Sequence, residues 1–183
     1  MRKAIPKDNI GIDCKVPTFE EIASSLKKLS KAPLKYQALY VLLLDSGLRL
    51  VEAARLINER NGKDFAKVQG FYRCSLGYFR GSKLAYAGYF SEHSLALVQR
   101  VSEPINELNA SHYYMKYGYV APKYLRKFAF DKMIELGIPE SIADFIQGRC
   151  PTKIGAKHYM ALLRQADRFY GRYVKWLQRM RAN

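Results

Sequence analysis

Leu42-Leu43-Leu44-Asp45-Ser46-Gly47-Leu48-Arg49-Leu50-Val51-Glu52 joins the longest apolar run of the chain, Ala38 to Leu44, to a charged segment through one glycine. Leu39, Leu42 and Leu43 recur at helical spacing after Pro33, and proline opens a helix well because its missing N–H needs no partner there. Gly47 is placed to end that helix in a left-handed cap. Leu48 to Glu59 then reads as a third helix, with Leu50, Ala53, Ala54 and Leu56 facing inward and Glu52, Arg55 and Glu59 outward. Arg49 therefore starts a helix, beside N–H groups that no carbonyl of that helix satisfies. That is a good place to hold a phosphate.

Upstream, Thr18 and Glu21 form a capping box that opens a first helix running to about Ser30. Residues 1–17 lack periodicity and read as a leader or linker. Downstream, Asn61-Gly62 marks a turn. Phe71, Tyr72, Tyr78, Phe79, Leu84, Tyr86, Tyr89 and Phe90 then favour strands. Arg80-Gly81-Ser82-Lys83 interrupts them as a hairpin turn would. The pattern is helical again from Ser91 to a break at Pro104, from Pro122 to Leu136 with Gly137 as cap, and from Glu140 to about Gln147. Thr152 to the C-terminus reads as helix with a break near Tyr159. The expectation is a mainly α chain with a small antiparallel β-sheet (α+β), forming one domain over residues 18–183.

The last helix carries two stripes. Leu162, Ala166, Phe169, Tyr173, Leu177 and Met180 are apolar; Arg164, Arg168, Arg172, Lys175 and Arg179 are basic. The apolar stripe fits packing on the domain's own core or docking on a neighbouring subunit. The basic stripe fits DNA phosphates.

Charge narrows the function. In 183 residues, 31 Lys and Arg face 16 Asp and Glu, a net charge of +15, while the charged fraction is an ordinary 26%. The excess comes from missing acids, and a domain this basic points to a polyanion, with nucleic acid first. No apolar run is long enough to span a bilayer, and the N-terminus does not resemble a signal peptide. That points away from membranes and to the cytoplasm. Cys14, Cys74 and Cys150 are odd in number and far apart, and His93, His112 and His158 do not cluster. Neither a disulfide framework nor a metal or other cofactor is expected.

Four places carry candidate chemistry: Arg49 with its box, Lys83 at the hairpin, Lys123-Tyr124-Leu125-Arg126 at a helix start, and Gly148-Arg149 followed by Tyr159. As an ordered set these resemble the tyrosine recombinases, the phage-integrase family. Gly47-Leu48-Arg49 with Glu52 is similar to that family's TGLRxxE box. Lys123-x-x-Arg126 stands where the family has His-x-x-Arg, and Gln147-Gly148-Arg149 where it has Leu-Gly-His. Tyr159 stands at the place of the nucleophile. The likeness runs from Pro17 onward, and the Lys-x-x-Arg and Gly-Arg variants resemble integrases of archaeal viruses and plasmids. Set against the family's usual N-terminal DNA-clamping domain, the short leader leads us to expect a catalytic domain without that clamp, as a catalytic fragment or a naturally short form.

The resemblance implies a site-specific recombinase that cleaves and rejoins double-stranded DNA through a 3′-phosphotyrosine, working in a tetrameric synapse. Tyr159 would be the nucleophile, storing the phosphodiester energy covalently. Arg49, Arg126 and Arg149 would hold the phosphate, Lys83 would protonate the leaving 5′ oxygen, and Lys123 would contact the phosphate or help deprotonate the tyrosine. Glu52 would orient the pocket. Two other readings stay open: a type IB topoisomerase-like relaxer, and a helical DNA-binding module without chemistry.

Overall fold

A computed structural model describes residues 15–81, 83–151 and 156–182, the side chains of Arg80, Lys83, Cys150, Pro151, Ala156, Lys157 and Tyr159 excepted. Eight helices and one antiparallel sheet make up the described residues: α1 Phe19–Leu29, α2 Leu34–Ser46, α3 Leu50–Asn58, β1 Ala66–Val68, β2 Phe71–Arg80, β3 Lys83–Phe90, α4 Glu92–Gln99, α5 Glu107–Lys116, α6 Pro122–Glu135, α7 Glu140–Ile146, β4 Cys150–Pro151 and α8 Ala156–Ala182. The sheet order is β1-β2-β3-β4. The expected α+β class is the one observed.

α2 is apolar all round, so it cannot sit at a surface, and every residue from Ala38 to Ser46 is buried. It packs against α3, α4, α6 and β3 and forms the axis of the core. Gly47 ends it at φ 60, as the glycine signal requires. Leu48 and Arg49 then run outside the helix, with Arg49 extended as the N-cap of α3, which begins at Leu50 rather than Leu48. The capping box at Thr18 is formed on both sides. Arg80 pairs with Lys83 across the hairpin.

Four features depart from the expectations. Glu52 does not face outward: it is buried, for a reason that lies in α6. The break near Tyr159 is absent, and α8 runs unbroken from Ala156 to Ala182 because its apolar stripe packs along its length on α7 and β3. α5 was not anticipated; Asn106 caps it by accepting from the Asn109 N–H, and Tyr114 anchors it against Tyr40. Cys150–Pro151 pairs with Lys83–Leu84 as an unexpected fourth strand.

Of the two uses weighed for the apolar stripe of α8, packing on the domain's own core is the one realised. Leu162, Ala166, Tyr173, Leu177 and Met180 are buried, while Arg164, Arg168, Arg172, Lys175 and Arg179 are exposed. Phe169 is half-buried, with the Arg168 and Arg172 guanidiniums over its ring. Among the described residues, no helix is long and apolar enough to cross a membrane.

The end of α3 holds the sheet through Glu59. Its carboxylate accepts from Arg55 Nε at 2.6 Å and Tyr78 Oη at 2.8 Å, with Lys63 Nζ at 3.2 Å. The Arg55 hydrogen bond, outweighing desolvation and aided by Tyr78 and Lys63, pulls its pKa from 4.5 to about 2. A carboxylate lowered in the folded state stabilises above its unfolded value, and the contribution fades as pH falls toward 2. Glu59→Gln should therefore destabilise at pH 7, by less than about 1 kcal/mol because the carboxylate is partly solvated. Urea unfolding at pH 7 and pH 2 should show the gap from wild type closing at the lower pH.

Candidate phosphate-binding site

The sharp turn after α2 directs Arg49 back toward the core. Its backbone N–H donates to Glu52 Oε2 at 3.0 Å, closing the first turn of α3. Its Nη1 donates to Glu52 Oε1 at 2.6 Å and to the Gly148 carbonyl at 2.9 Å. One residue from α3 and one from the segment after α7 thus fix a single guanidinium.

Arg126 approaches the same carboxylate from α6, with Nη1 at 3.9 Å from Glu52 Oε2. That distance is too long for a hydrogen bond, and among the described residues Arg126 Nη1 is a buried donor with no hydrogen-bond partner. Its side chain is 11% exposed and that of Glu52 5%. Burial first, then the Arg149 and Arg49 charges, push the Arg126 pKa down to about 9, against the opposing pull of Glu52 and Asp144. At neutral pH it remains a cation in a crowded place.

Arg149 completes the group. Its Nη1 bonds Asp144 Oδ1 at 3.0 Å, and its guanidinium lies over the Phe130 ring at 4.7 Å. Three guanidiniums share two carboxylates, so the cluster keeps a net positive charge. Planar donors of this kind match the oxygens of a phosphate.

Two glycines allow the elements to close on each other. A Cβ on Gly47 would lie 2.3 Å from Gln147 Nε2, and φ is +60 there. Gln147 is itself fully buried and donates to the Arg126 carbonyl at 2.9 Å. Gly148, at φ +68, would place its Cβ 2.6 Å from that of Ala85. Gly47→Ala should cost about 2–4 kcal/mol, combining left-handed strain with overpacking. Chemical denaturation measures it; a cost below about 1 kcal/mol would mean that Gln147 yields easily.

The structure brings Arg49, Arg126 and Arg149 together. Lys123 stands one turn before Arg126 on α6, with its ammonium 4.8 Å from the Tyr124 ring centre, a ring that Lys15 and Lys127 also flank. Lys83 opens β3, its backbone paired with Pro151, two residues beyond Arg149. Tyr159 falls in the first turn of α8. The side chains of Lys83 and Tyr159 lie outside the described residues, as does the expected leader up to residue 14. Sequence reasoning missed the counter-ion Asp144, the Phe130 ring beneath Arg149 and the lock formed by Gln147. For Glu52, the Arg-x-x-Glu spacing was the available signal.

The fold and the site together define an α+β domain with a net-positive cluster of three arginines around Glu52 and Asp144. The chain belongs to the archaeal phage integrase family, whose model matches residues 14–176. That membership gives it an integrase or recombinase role, with DNA as the partner. No curated protein matches the chain.

Proposed function

We propose that this integrase is a tyrosine-type site-specific recombinase whose catalytic domain spans residues 18–183, acting in the host cytoplasm on double-stranded DNA as a tetramer. Tyr159 Oη attacks the scissile phosphorus as its proton passes to Lys123, which acts as the neutral amine. The bond from phosphorus to the 5′ oxygen breaks, and that oxygen takes a proton from Lys83. The product is a 3′-phosphotyrosine, and attack by the 5′ hydroxyl of a partner strand reverses the step, so no external energy source is required. Arg49, Arg126 and Arg149 bind the non-bridging oxygens and strengthen their hold as charge builds on them. Glu52 orients Arg49.

The observation that supports this reading is the net-positive cluster around Glu52, with a buried Arg126 donor that has no hydrogen-bond partner among the described residues. A buried donor without a partner costs on the order of 1–3 kcal/mol, a burden that a phosphate ligand would lift. The test is a covalent adduct between the chain and a nicked suicide duplex, seen on a denaturing gel, with the modified peptide mapped by mass spectrometry. Adduct at Tyr159 supports the mechanism, and binding without adduct overturns it. Strand exchange between two sites distinguishes a recombinase from a relaxer, which would change only supercoiling.

A further inference from the structure

α8 carries a basic surface that lies apart from the arginine cluster. Arg164, Arg168, Arg172, Lys175 and Arg179 are all exposed. At about 100 degrees per residue they fall within about 80 degrees of the helix circumference, and at 1.5 Å per residue they run for about 22 Å. The one acid of this helix, Asp167, stands off the stripe and is half-buried, taken up by Arg73 Nε at 3.4 Å and Tyr89 Oη at 3.3 Å. Two of the four guanidiniums are held in place. Those of Arg168 and Arg172 lie over the Phe169 ring, at 6.0 and 4.9 Å, and Arg172 Nη1 donates to the Gly137 carbonyl at 2.9 Å.

Elsewhere, surface cations such as Lys35 and Arg55 are paired, with Glu103 and Glu59, each at 2.6 Å. Among the described residues, none of the five cations of the stripe takes part in an ion pair. Arg164 with Arg168, Arg168 with Arg172, and Lys175 with Arg179 stand four residues apart, the spacing at which like charges repel across one helix turn. That repulsion goes unrelieved until a polyanion arrives.

The two basic surfaces face apart. Leu162, Ala166, Tyr170, Tyr173 and Leu177 bury the other side of α8, which packs on α7 and β3. From that buried side, Tyr170 Oη and Tyr173 Oη donate to the Asp45 and Leu44 carbonyls, at 2.9 and 2.8 Å, a few residues before Arg49. The elements that carry Arg49 and Arg149 therefore meet the buried side of α8, and the stripe looks away from them. A phosphate in the cluster and a phosphate on the stripe are separated by the body of the helix. One strand of a duplex places a phosphate every 3.4 Å of axis, so about six lie along the roughly 22 Å of the stripe.

We infer that the α8 stripe is a second DNA-binding surface, holding a duplex other than the one whose phosphate enters the arginine cluster. A protein that joins two DNA molecules must bring both to one place, and a surface on the back of the domain can retain one while the cluster holds the other. Affinity there is electrostatic and indifferent to sequence, because side chains that meet only phosphates read no base edges. The inference rests on DNA as the partner and not on the tyrosine mechanism proposed above.

The test titrates the full-length chain with an excess of fluorescent duplex of about 10 base pairs, roughly 34 Å long, and counts duplexes per chain by sedimentation. The wild type should carry two. The variant combining Arg164→Gln, Arg168→Gln, Lys175→Gln and Arg179→Gln should carry one; Arg172 is left in place for its bond to Gly137. The second binding event should weaken with salt by roughly 0.9 in log–log slope per phosphate neutralised, and about 3.6 of that slope should vanish with the four cations. An equal slope in the two proteins would overturn the inference. So would a wild type that carries one duplex, since any DNA on the stripe would then be the cluster's own. Should the fourfold variant fail to fold, Arg164→Gln with Arg179→Gln should remove about 1.8 of the slope, and an unchanged slope there has the same force. A wild type that forms no covalent adduct with the suicide duplex would remove the tyrosine mechanism and leave the duplex count standing.

Discussion

Tyr159→Phe should bind DNA as the wild type does and form no covalent adduct. The substitution deletes one hydroxyl and almost no volume, so packing around α8 is nearly unchanged. Binding depends on the basic surface, which the change leaves untouched. What disappears is the atom assigned to attack phosphorus. The chain has 14 tyrosines, and the serious substitutes can be judged one by one. Tyr170 and Tyr173, the nearest on α8, are fully buried, and their hydroxyls are committed to the Asp45 and Leu44 carbonyls. Burial raises both phenols well above their ordinary range, which disfavours the phenolate a nucleophile needs. Tyr114 is buried in the same way and donates to the Tyr36 carbonyl. Tyr170 would be the natural second choice from sequence alone, and its burial removes it. A denaturing gel after incubation with the suicide duplex reads the result. An adduct of undiminished yield would move the nucleophile elsewhere.

What sequence disclosed about this fold was local. Gly47 marks the end of α2 because a left-handed residue there favours glycine, and Thr18 with Glu21 announces α1 through two hydrogen bonds three residues apart. The hairpin at Arg80 to Lys83 was legible for the same reason. The misreadings share a different origin. Glu52 sits on the polar side of α3 when that helix is drawn alone, yet it is covered by Arg126, 74 residues later in the chain. Asp45 looks like a helix-end acid, and its counter-ion Arg181 comes 136 residues later. α5 has no strong apolar face to reveal it; its tyrosines pair with Tyr36 and Tyr40 on α2. The unbroken α8 owes its length to packing that no window of its own sequence contains. For the site, the order of Arg49, Arg126 and Arg149 was readable, because the resemblance lies in spacing. Of the carboxylates that keep these cations apart, Glu52 was readable from the same box, and Asp144 was not.

Arg126→Met should lose cleavage and gain stability. The guanidinium is buried, its Nη1 makes no hydrogen bond among the described residues, and Arg149 and Arg49 repel it more than Glu52 compensates; its lowered pKa carries the same sign. In the unliganded fold it is therefore a liability. An apolar side chain of similar length removes the repulsion, while Glu52 retains Arg49 at 2.6 Å as its partner. Replacing buried charge in this way is commonly neutral or stabilising by about 1–4 kcal/mol, and we expect a gain in the lower part of that range. Cleavage should fall about 100- to 1,000-fold, since the lost donors act where charge develops on phosphate oxygens. Sulfate connects the two effects. As a tetrahedral anion it should raise the melting temperature of the wild type more than that of Arg126→Met, because only the wild type offers it the complete cluster; comparing the two proteins cancels the general stabilising action of the salt. A variant that is less stable than wild type, and equally responsive to sulfate, would make Arg126 a structural ion-pair residue and leave the phosphate to Arg49 and Arg149.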